Sequence, residues 1–139
     1  MIDMESKRQY AFSAKLDAPY EEALEKVTSA LKTEGFGILT SVDMKATLKE
    51  KLGAEFRKYS ILGACNPPLA QKALSQDLDA GLVLPCTIVV YEEAGGSSIS
   101  IADPMAVVDL LNNPVLSPIA EEAQTRLKRV LEIMKDKAS

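Results

Sequence analysis

The alternation of apolar and polar residues along the chain predicts an early strand and long helices near both ends. Residues 10–16 alternate strictly, which is typical of a strand with one face in water. Apolar residues recur at helical spacing over residues 19–34, where Pro19 supplies the start and Gly35 the end. The same spacing predicts a last helix that begins at Ser117 and continues to about residue 134.

The middle of the chain predicts further strands, joined by shorter helices. The strands are predicted over 36–42, 56–64, 82–91 and 98–102, and the helices over 45–52, 67–80 and 105–111. Leu48 and Leu52 are expected to face inward from the first of these helices, and Leu78 from the second. Segment 82–91 is apolar on both faces, which predicts a central strand, and Pro85 inside it requires either a bulge or a position where no backbone N–H has to pair.

A tight hairpin indicates the fold class. Gly95 and Gly96 lie between two predicted strands and predict an antiparallel hairpin over residues 92–97. About five strands and two long helices then fit an α+β fold, in which both helices pack on one face of an antiparallel sheet and short helices are inserted between strands. A chain of 139 residues is expected to form a single domain over 1–139, with an ordered core over about 8–134.

The composition excludes several kinds of site. The chain has no histidine, so a Ser-His-Asp triad, a Cys-His dyad and a His-ligated zinc are excluded within one chain. Twenty residues separate its two cysteines, which do not complete a tetrahedral zinc site. We therefore expect no metal and no cofactor. The sequence leaves open whether the protein is an enzyme.

Charge and hydropathy argue against nucleic-acid and membrane partners. The net charge is −4, and residues 59–120 contain a single base, Lys72, against six acids. Nucleic-acid surfaces need clustered Lys and Arg, which this region lacks. The longest uncharged stretches span about a dozen residues, whereas a membrane-spanning helix needs about 20. We expect a cytoplasmic protein with reduced thiols, no membrane segment and no nucleic-acid partner.

One segment combines a thiol with a helix start. Cys65 directly precedes Asn66, a helix-capping residue, and Pro67 and Pro68 occupy the first turn. Helix N-termini favour anions, so we expect a lowered pKa for Cys65 and a small anionic ligand at this position. Asn66, Pro67 and Pro68 are therefore candidate ligand-binding residues. Asp103, which follows a later strand, is a weaker candidate because Asp-Pro commonly ends strands.

The second thiol, Cys86, is predicted on the inward face of the strand over 82–91. If the intervening helix joins antiparallel neighbours, the two sulfurs come close, whereas a parallel crossover places them at opposite ends of the sheet. When close, Cys65 and Cys86 are candidate catalytic residues, the first as nucleophile and the second as resolving thiol. The alternative is that both thiols only pack, because free cysteine is among the most buried residue types.

Three segments carry a resemblance to a known family. They are 43–56 (DMKATLKEKLGAEF), 59–70 (YSILGACNPPLA) and 81–92 (GLVLPCTIVVYE). Together they resemble the domain of unknown function 302 family over nearly the whole chain, from Tyr10 to about Met134. The resemblance implies a small α+β fold like that of the TATA-box-binding-protein and helix-grip group, a bacterial or archaeal origin and a homodimer. It implies no reaction, because the family is named for having none assigned.

Two functions follow from these observations, with a structural alternative. The first is a dimeric binding module that holds a small ligand or a partner in a cleft between the turn over 65–70 and the strand of Cys86. The second is a thiol-dependent redox or sulfur-handling protein that uses Cys65 and Cys86. The alternative is that both segments serve folding and dimerisation only.

Overall fold

The molecule is built on a six-stranded antiparallel sheet, and the computed structural model describes residues 3–8 and 10–138, with side chains over 10–135. The strands are β1 (Asp3–Arg8), β2 (Ala11–Leu16), β3 (Gly37–Asp43), β4 (Tyr59–Cys65), β5 (Cys86–Glu93) and β6 (Gly96–Ala102). The helices are α1 (Tyr20–Thr33), α2 (Met44–Leu52), α3 (Pro67–Gln76), α4 (Pro104–Val108) and α5 (Ser117–Ala138), with 3₁₀ helices at Leu78–Val83, Asp109–Leu111 and Pro114–Leu116. The strand order is β1-β2-β6-β5-β4-β3.

One face of the sheet is apolar because the inward positions of neighbouring strands match. Ile88 lies opposite Ile101 and Leu62, Val90 lies opposite Ile99, and all five side chains are buried. The apolar stripes of α1 and α5 pack against this face and complete the core. Removing these side chains from water is the main favourable term in forming the sheet and its helix layer.

The element order predicted from the sequence is confirmed from β2 to α5, including the three inserted helices α2, α3 and α4. The α+β class with helices packed on an antiparallel sheet is confirmed as well. The sheet has one strand more than the five expected, because β1 was not predicted. Its sequence, DMESKR, has charged residues at four of six positions and so lacks the apolar alternation that indicates a strand.

Two leucines predicted to face inward are exposed. Leu52 is 74% exposed, because α2 packs beside β3 and β4 with no residue fully buried and ends at Gly53 in a left-handed turn. Leu78 is 87% exposed, because α3 ends before Gly81 and Leu78 belongs to the following 3₁₀ helix. The extended backbone of Asp77 breaks the helical spacing on which that prediction depended.

Pro85 precedes β5 rather than interrupting it, so of the two expected alternatives the structure shows the second, a position outside the strand ladder, and no bulge is needed. β5 begins at Cys86, directly after a cis peptide bond between Leu84 and Pro85, and no ladder hydrogen bond is lost. The ring of Pro85 instead covers Gly63 of β4, with its Cγ 2.6 Å from the position that a Cβ of residue 63 would take. The Thr40 hydroxyl approaches the same point even more closely. A residue without a side chain is therefore required at position 63.

We expect Gly63→Ala to destabilise the fold by about 1–3 kcal/mol, because the added methyl group overlaps the Pro85 ring and the Thr40 hydroxyl. Gly37→Ala, at the start of β3, is the matched control, because no atom lies within 4 Å of the added group there. Thermal unfolding followed by circular dichroism compares the two variants. Equal melting temperatures would show that the close approach at Gly63 is not a constraint.

Candidate functional site

A cavity of about 240 Å³ lies at the end of the sheet where β4 ends at Cys65 and β5 begins at Cys86. Residues of α3, the 3₁₀ helix Leu78–Val83, α4 and the first turns of α5 form its walls. An apolar cavity of roughly 150 Å³ holds benzene in another protein. The cavity therefore has room for a ring or a short aliphatic chain.

The wall of the cavity is uncharged. None of the described residues that line it is Asp, Glu, Lys or Arg, and its polar members are Cys65, Asn66, Cys86 and Thr87. Most of the remaining wall consists of alanine and branched aliphatic side chains. A charged group placed there loses its water shell and gains no ion pair, so the cavity favours uncharged, apolar ligands.

Alanines leave much of this space open. Ala70 and Ala73 of α3, Ala80, and Ala120 and Ala123 of α5 all line the cavity. Larger side chains at these positions would fill the volume to the density of an ordinary core. Apart from Ala70, which ends the predicted turn over 65–70, sequence reasoning missed these residues, because alanine is also the best helix former and its presence in a helix does not indicate a cavity.

The Asn66 side chain ties α1, α3 and α5 together beside the cavity. Its Oδ1 accepts a hydrogen bond of 3.2 Å from the backbone N–H of Leu69, which caps α3. Its Nδ2 donates to the backbone carbonyl of Glu34, after the end of α1, at 3.4 Å. Arg126 of α5 donates to the same carbonyl oxygen through Nη1 at 3.1 Å. Both polar atoms of the Asn66 side chain are therefore engaged inside the protein.

The start of α3 has no free backbone donor for an anion. Pro67 and Pro68 have no N–H, and both are exposed and outside the cavity lining. The N–H of Leu69 bonds to the Asn66 side chain, and the N–H of Ala70 bonds to the Asn66 carbonyl at 2.9 Å. Anion sites at helix N-termini depend on free N–H groups. The anionic ligand expected from the sequence stays a prediction that this hydrogen bonding does not favour.

Asp103 also lies outside the cavity lining. Its carboxylate accepts from the N–H of Met105 at 2.9 Å, which caps α4. It accepts from Nε2 of Gln124 on α5 as well, at 3.0 and 3.3 Å for the two carboxylate oxygens. These bonds join α4 to α5, while the neighbouring Pro104 lines the cavity. The structure thus gives Asp103 a role in holding one wall in place.

The structure places both cysteines on the lining of the cavity. β4 and β5 are antiparallel neighbours, and Cys86 lies opposite Ala64, the residue before Cys65. Both cysteines are free thiols that line the cavity. Burial and, to a smaller extent, the nearby Cys65 raise the pKa of Cys86 to about 11. Cys86 is therefore a protonated, weakly nucleophilic thiol at neutral pH.

The charged side chains of the described residues lie outside the cavity lining. The ion pairs of the described residues involve none of the residues that line the cavity.

The described side chains contain no group of three or more His, Cys, Asp or Glu residues that could hold a metal ion. Over the same part of the chain, no helix is both long and apolar enough to cross a membrane.

These features define a small α+β protein with an antiparallel sheet, helices on one face and an uncharged cavity at the sheet end. The domain of unknown function DUF302 matches residues 12–134, and the chain belongs to this family. Its structure is similar to the crystal structure of the uncharacterized conserved protein DUF302 from Bacillus stearothermophilus, with a TM-score of 0.84 and 33% sequence identity. The similarity covers 91% of this chain and 99% of that chain. No curated protein matches the chain at a significant level.

We expect Asn66→Ala to destabilise the fold by more than the loss of a helix cap alone, which typically costs about 1 kcal/mol. The variant loses the cap of α3 and the bond to the Glu34 carbonyl together. Asp43→Ala is the matched control, because Asp43 caps α2 through the N–H of Ala46 at 3.0 Å and is exposed. Urea unfolding measures both variants. If Asn66→Ala costs less than Asp43→Ala, the linking role given to Asn66 is wrong.

Proposed function

We propose that this protein binds a small, uncharged and mainly apolar molecule in the cavity at the end of the sheet. The observation that carries the proposal is a cavity of about 240 Å³ whose described lining has no charged side chain. An apolar molecule gains free energy by leaving water and meets mostly aliphatic side chains in this space. The sequence predicted a binding module without naming its ligand, and this proposal specifies the class of that ligand.

The polar groups on the cavity wall favour a ligand with one weak hydrogen-bond acceptor. Thiols are weak hydrogen-bond donors, and Cys86 stays protonated because its pKa is raised to about 11. Thr87 adds a hydroxyl group, and the Asn66 amide is already engaged. A carbonyl or ether oxygen therefore fits this wall better than a carboxylate, which finds no cation among the lining residues.

Toluene is the probe for this cavity, and benzoate is its charged counterpart. We expect toluene at millimolar concentration to raise the melting temperature, because a ligand that binds the folded state stabilises it. Benzoate at the same concentration is expected to leave the melting temperature unchanged, because the lining offers its carboxylate no ion pair. Differential scanning fluorimetry measures both shifts on the unmodified chain.

Two variants show whether the cavity itself is the binding place. Ala70→Phe adds a ring to the cavity wall at α3 and is expected to abolish the toluene shift. Ala46→Phe makes the same change at an exposed position of α2 and is expected to retain it. A shift with benzoate but not toluene would support the anionic ligand instead. No shift with either probe would overturn the binding proposal and leave both cysteine segments with a structural role.

Thiol–disulfide exchange is a second candidate function, supported by the position of Cys65 and Cys86 on the lining of one cavity. The Cys65 thiolate attacks one sulfur of a small disulfide, forms a mixed disulfide and releases the first thiolate. Cys86 then gives its proton to water and attacks the Cys65 sulfur, which forms the internal disulfide and releases the second thiolate. Two electrons pass from the protein to the substrate. The raised pKa of Cys86 slows the second step, so we place binding first.

The pH dependence of alkylation tests the two thiols. With a pKa of about 11, roughly one in a thousand Cys86 thiols is ionised at pH 8, so its labelling rate is expected to rise about tenfold per pH unit until pH 11. Iodoacetamide labelling of the native protein, read by peptide mass spectrometry, gives the rate for each cysteine. Fast labelling of Cys86 at pH 7 would show that it is not buried in a protonated form.

Oxidised glutathione then tests the exchange reaction. The candidate mechanism predicts an internal disulfide in the native sequence and a mixed disulfide at Cys65 in Cys86→Ser. Intact-protein mass spectrometry separates the two products. Two free thiols after treatment at pH 8 would remove the redox candidate without affecting the toluene experiment.

We also propose that the protein is a single domain in the cytoplasm and that it forms the homodimer that the family resemblance implies. The two free thiols are consistent with a reducing compartment. The kinship with the TATA-box-binding-protein and helix-grip folds is a proposal about the fold, and it carries no function by itself.

A further inference from the structure

The cavity reaches the surface along one segment of its wall. Every residue from Leu82 to Thr87 lines it, and both ends of this segment are exposed, Leu82 at 80%. Other parts of the lining are closed to water, because Ala80 and Leu116 are each 1% exposed. A ligand can therefore keep one end at the surface while the rest of it lies inside the protein.

Two exposed carboxylates lie beside this opening. Asp79 comes three residues before Leu82 in the 3₁₀ helix Leu78–Val83, and side chains at this spacing lie above one another in a 3₁₀ helix. Asp109 directly follows Val108, a residue of α4 that lines the cavity. Since α4 contacts the same 3₁₀ helix, the two acids belong to neighbouring walls of the cavity.

Within the described residues, no ion pair neutralises these acids. The salt bridges include neither Asp79 nor Asp109. The single base between residues 59 and 120, Lys72, lies close to α5 instead. There the pKa of Glu122 is lowered by its hydrogen bond with Arg126 and, to a smaller extent, by the charge of Lys72. The wall segments beside the opening therefore carry negative charge without a basic partner.

We propose that the ligand of this cavity is an aliphatic chain with a cationic head group, of which a primary alkylamine is the simplest example. The chain lies in the uncharged interior, and the ammonium group stays in water at the opening, near Asp79 and Asp109. The inference rests on the proposed binding function and extends it. The part of the ligand inside the cavity is uncharged and apolar, as that proposal states, and the charge lies outside.

Size and charge together favour this ligand over its alternatives. A cavity of roughly 150 Å³ holds the six carbons of benzene, so a volume of about 240 Å³ accommodates a six-carbon chain. A cation inside the cavity would lose its water without gaining a partner, which keeps the charge at the opening. A carboxylate head group would be repelled there by the two acids, whereas an ammonium group is attracted to both.

Three probes with the same six-carbon chain separate the contribution of the chain from that of its head group: hexylamine, hexanol and hexanoate. NMR titrations of the isotopically labelled full chain at pH 7 and low salt give each dissociation constant and the amides that respond. We expect responses at residues 78–87 and 104–111 for hexylamine and hexanol. We also expect hexylamine to bind about threefold more tightly than hexanol, and hexanoate to bind more weakly than both. Salt at about 1 M is expected to remove the advantage of hexylamine, because it screens charges exposed to water.

Asp79→Asn/Asp109→Asn removes both charges and keeps the size of the two side chains. We expect this variant to bind hexylamine and hexanol equally well. Glu25→Gln/Glu50→Gln is the matched control, because it removes the same charge from exposed positions of α1 and α2. The control is expected to retain the preference for hexylamine.

The other outcomes separate this inference from the proposed function. Equal binding of hexylamine and hexanol to the native chain overturns the cationic head group and leaves the apolar ligand. A preference for hexylamine that persists in the Asp79→Asn/Asp109→Asn variant, or responses to hexylamine confined to residues away from the cavity, overturns it as well. Tighter binding of hexanoate than of hexylamine contradicts the sign of the head group. No response to any of the three probes overturns the inference and the proposed function together.

Discussion

The hydrogen bonds of the Asn66 side chain hold the start of α3 against the end of α1, and the position of the cavity depends on this contact. Oδ1 caps α3 and Nδ2 reaches the Glu34 carbonyl, which Arg126 of α5 also binds. The backbone beside this contact is left-handed at Gly35 (φ 83°), where a Cβ would lie 2.9 Å from Nδ2 of Asn66. Glycine at position 35 is therefore needed for Asn66 to reach its partner.

The direction of α3 explains both the cavity and the environment of the thiols. Because α3 returns to the same end of the sheet, β5 runs antiparallel beside β4 and Cys86 lies next to the residue that precedes Cys65. The helix also contributes alanines to the space between itself, α5 and the sheet end. Cys86 is half-buried there, and its desolvation raises its pKa to about 11. The polar residues of the segment are used in folding, and the uncharged space beside them is left for a ligand.

The features that the sequence predicted correctly are those that depend on residues close together along the chain. Capping is local, so Asn66 was identified as the residue that begins α3. Strong periodicity likewise located α1 and α5, and Gly95 and Gly96 located the β5–β6 hairpin. Exposure was predicted less well, because it depends on where an element packs, as the exposed Leu52 of α2 illustrates. The charged strand β1 had no periodicity to reveal it and is held by pairing with β2.

The candidate site was predicted only in part, for the same reason. Cys65, Asn66 and Cys86 line the cavity, but whether the thiols are neighbours depended on strand direction, which the sequence left open. The far walls come from α4 and α5, and no local pattern marks an alanine that faces a space. Asp103 was selected for its carboxylate, yet that carboxylate bonds to Met105 and Gln124. Its role became visible only with its partners in place.

Crystals held under xenon pressure test the central claim, that the cavity is open and apolar, most directly. Xenon enters dry apolar cavities and needs no chemical recognition. The account predicts a xenon peak among Leu84, Val107 and Leu116, at the end of the sheet beside the two cysteines. A network of ordered water molecules in that space, or side chains that close it, would contradict the account.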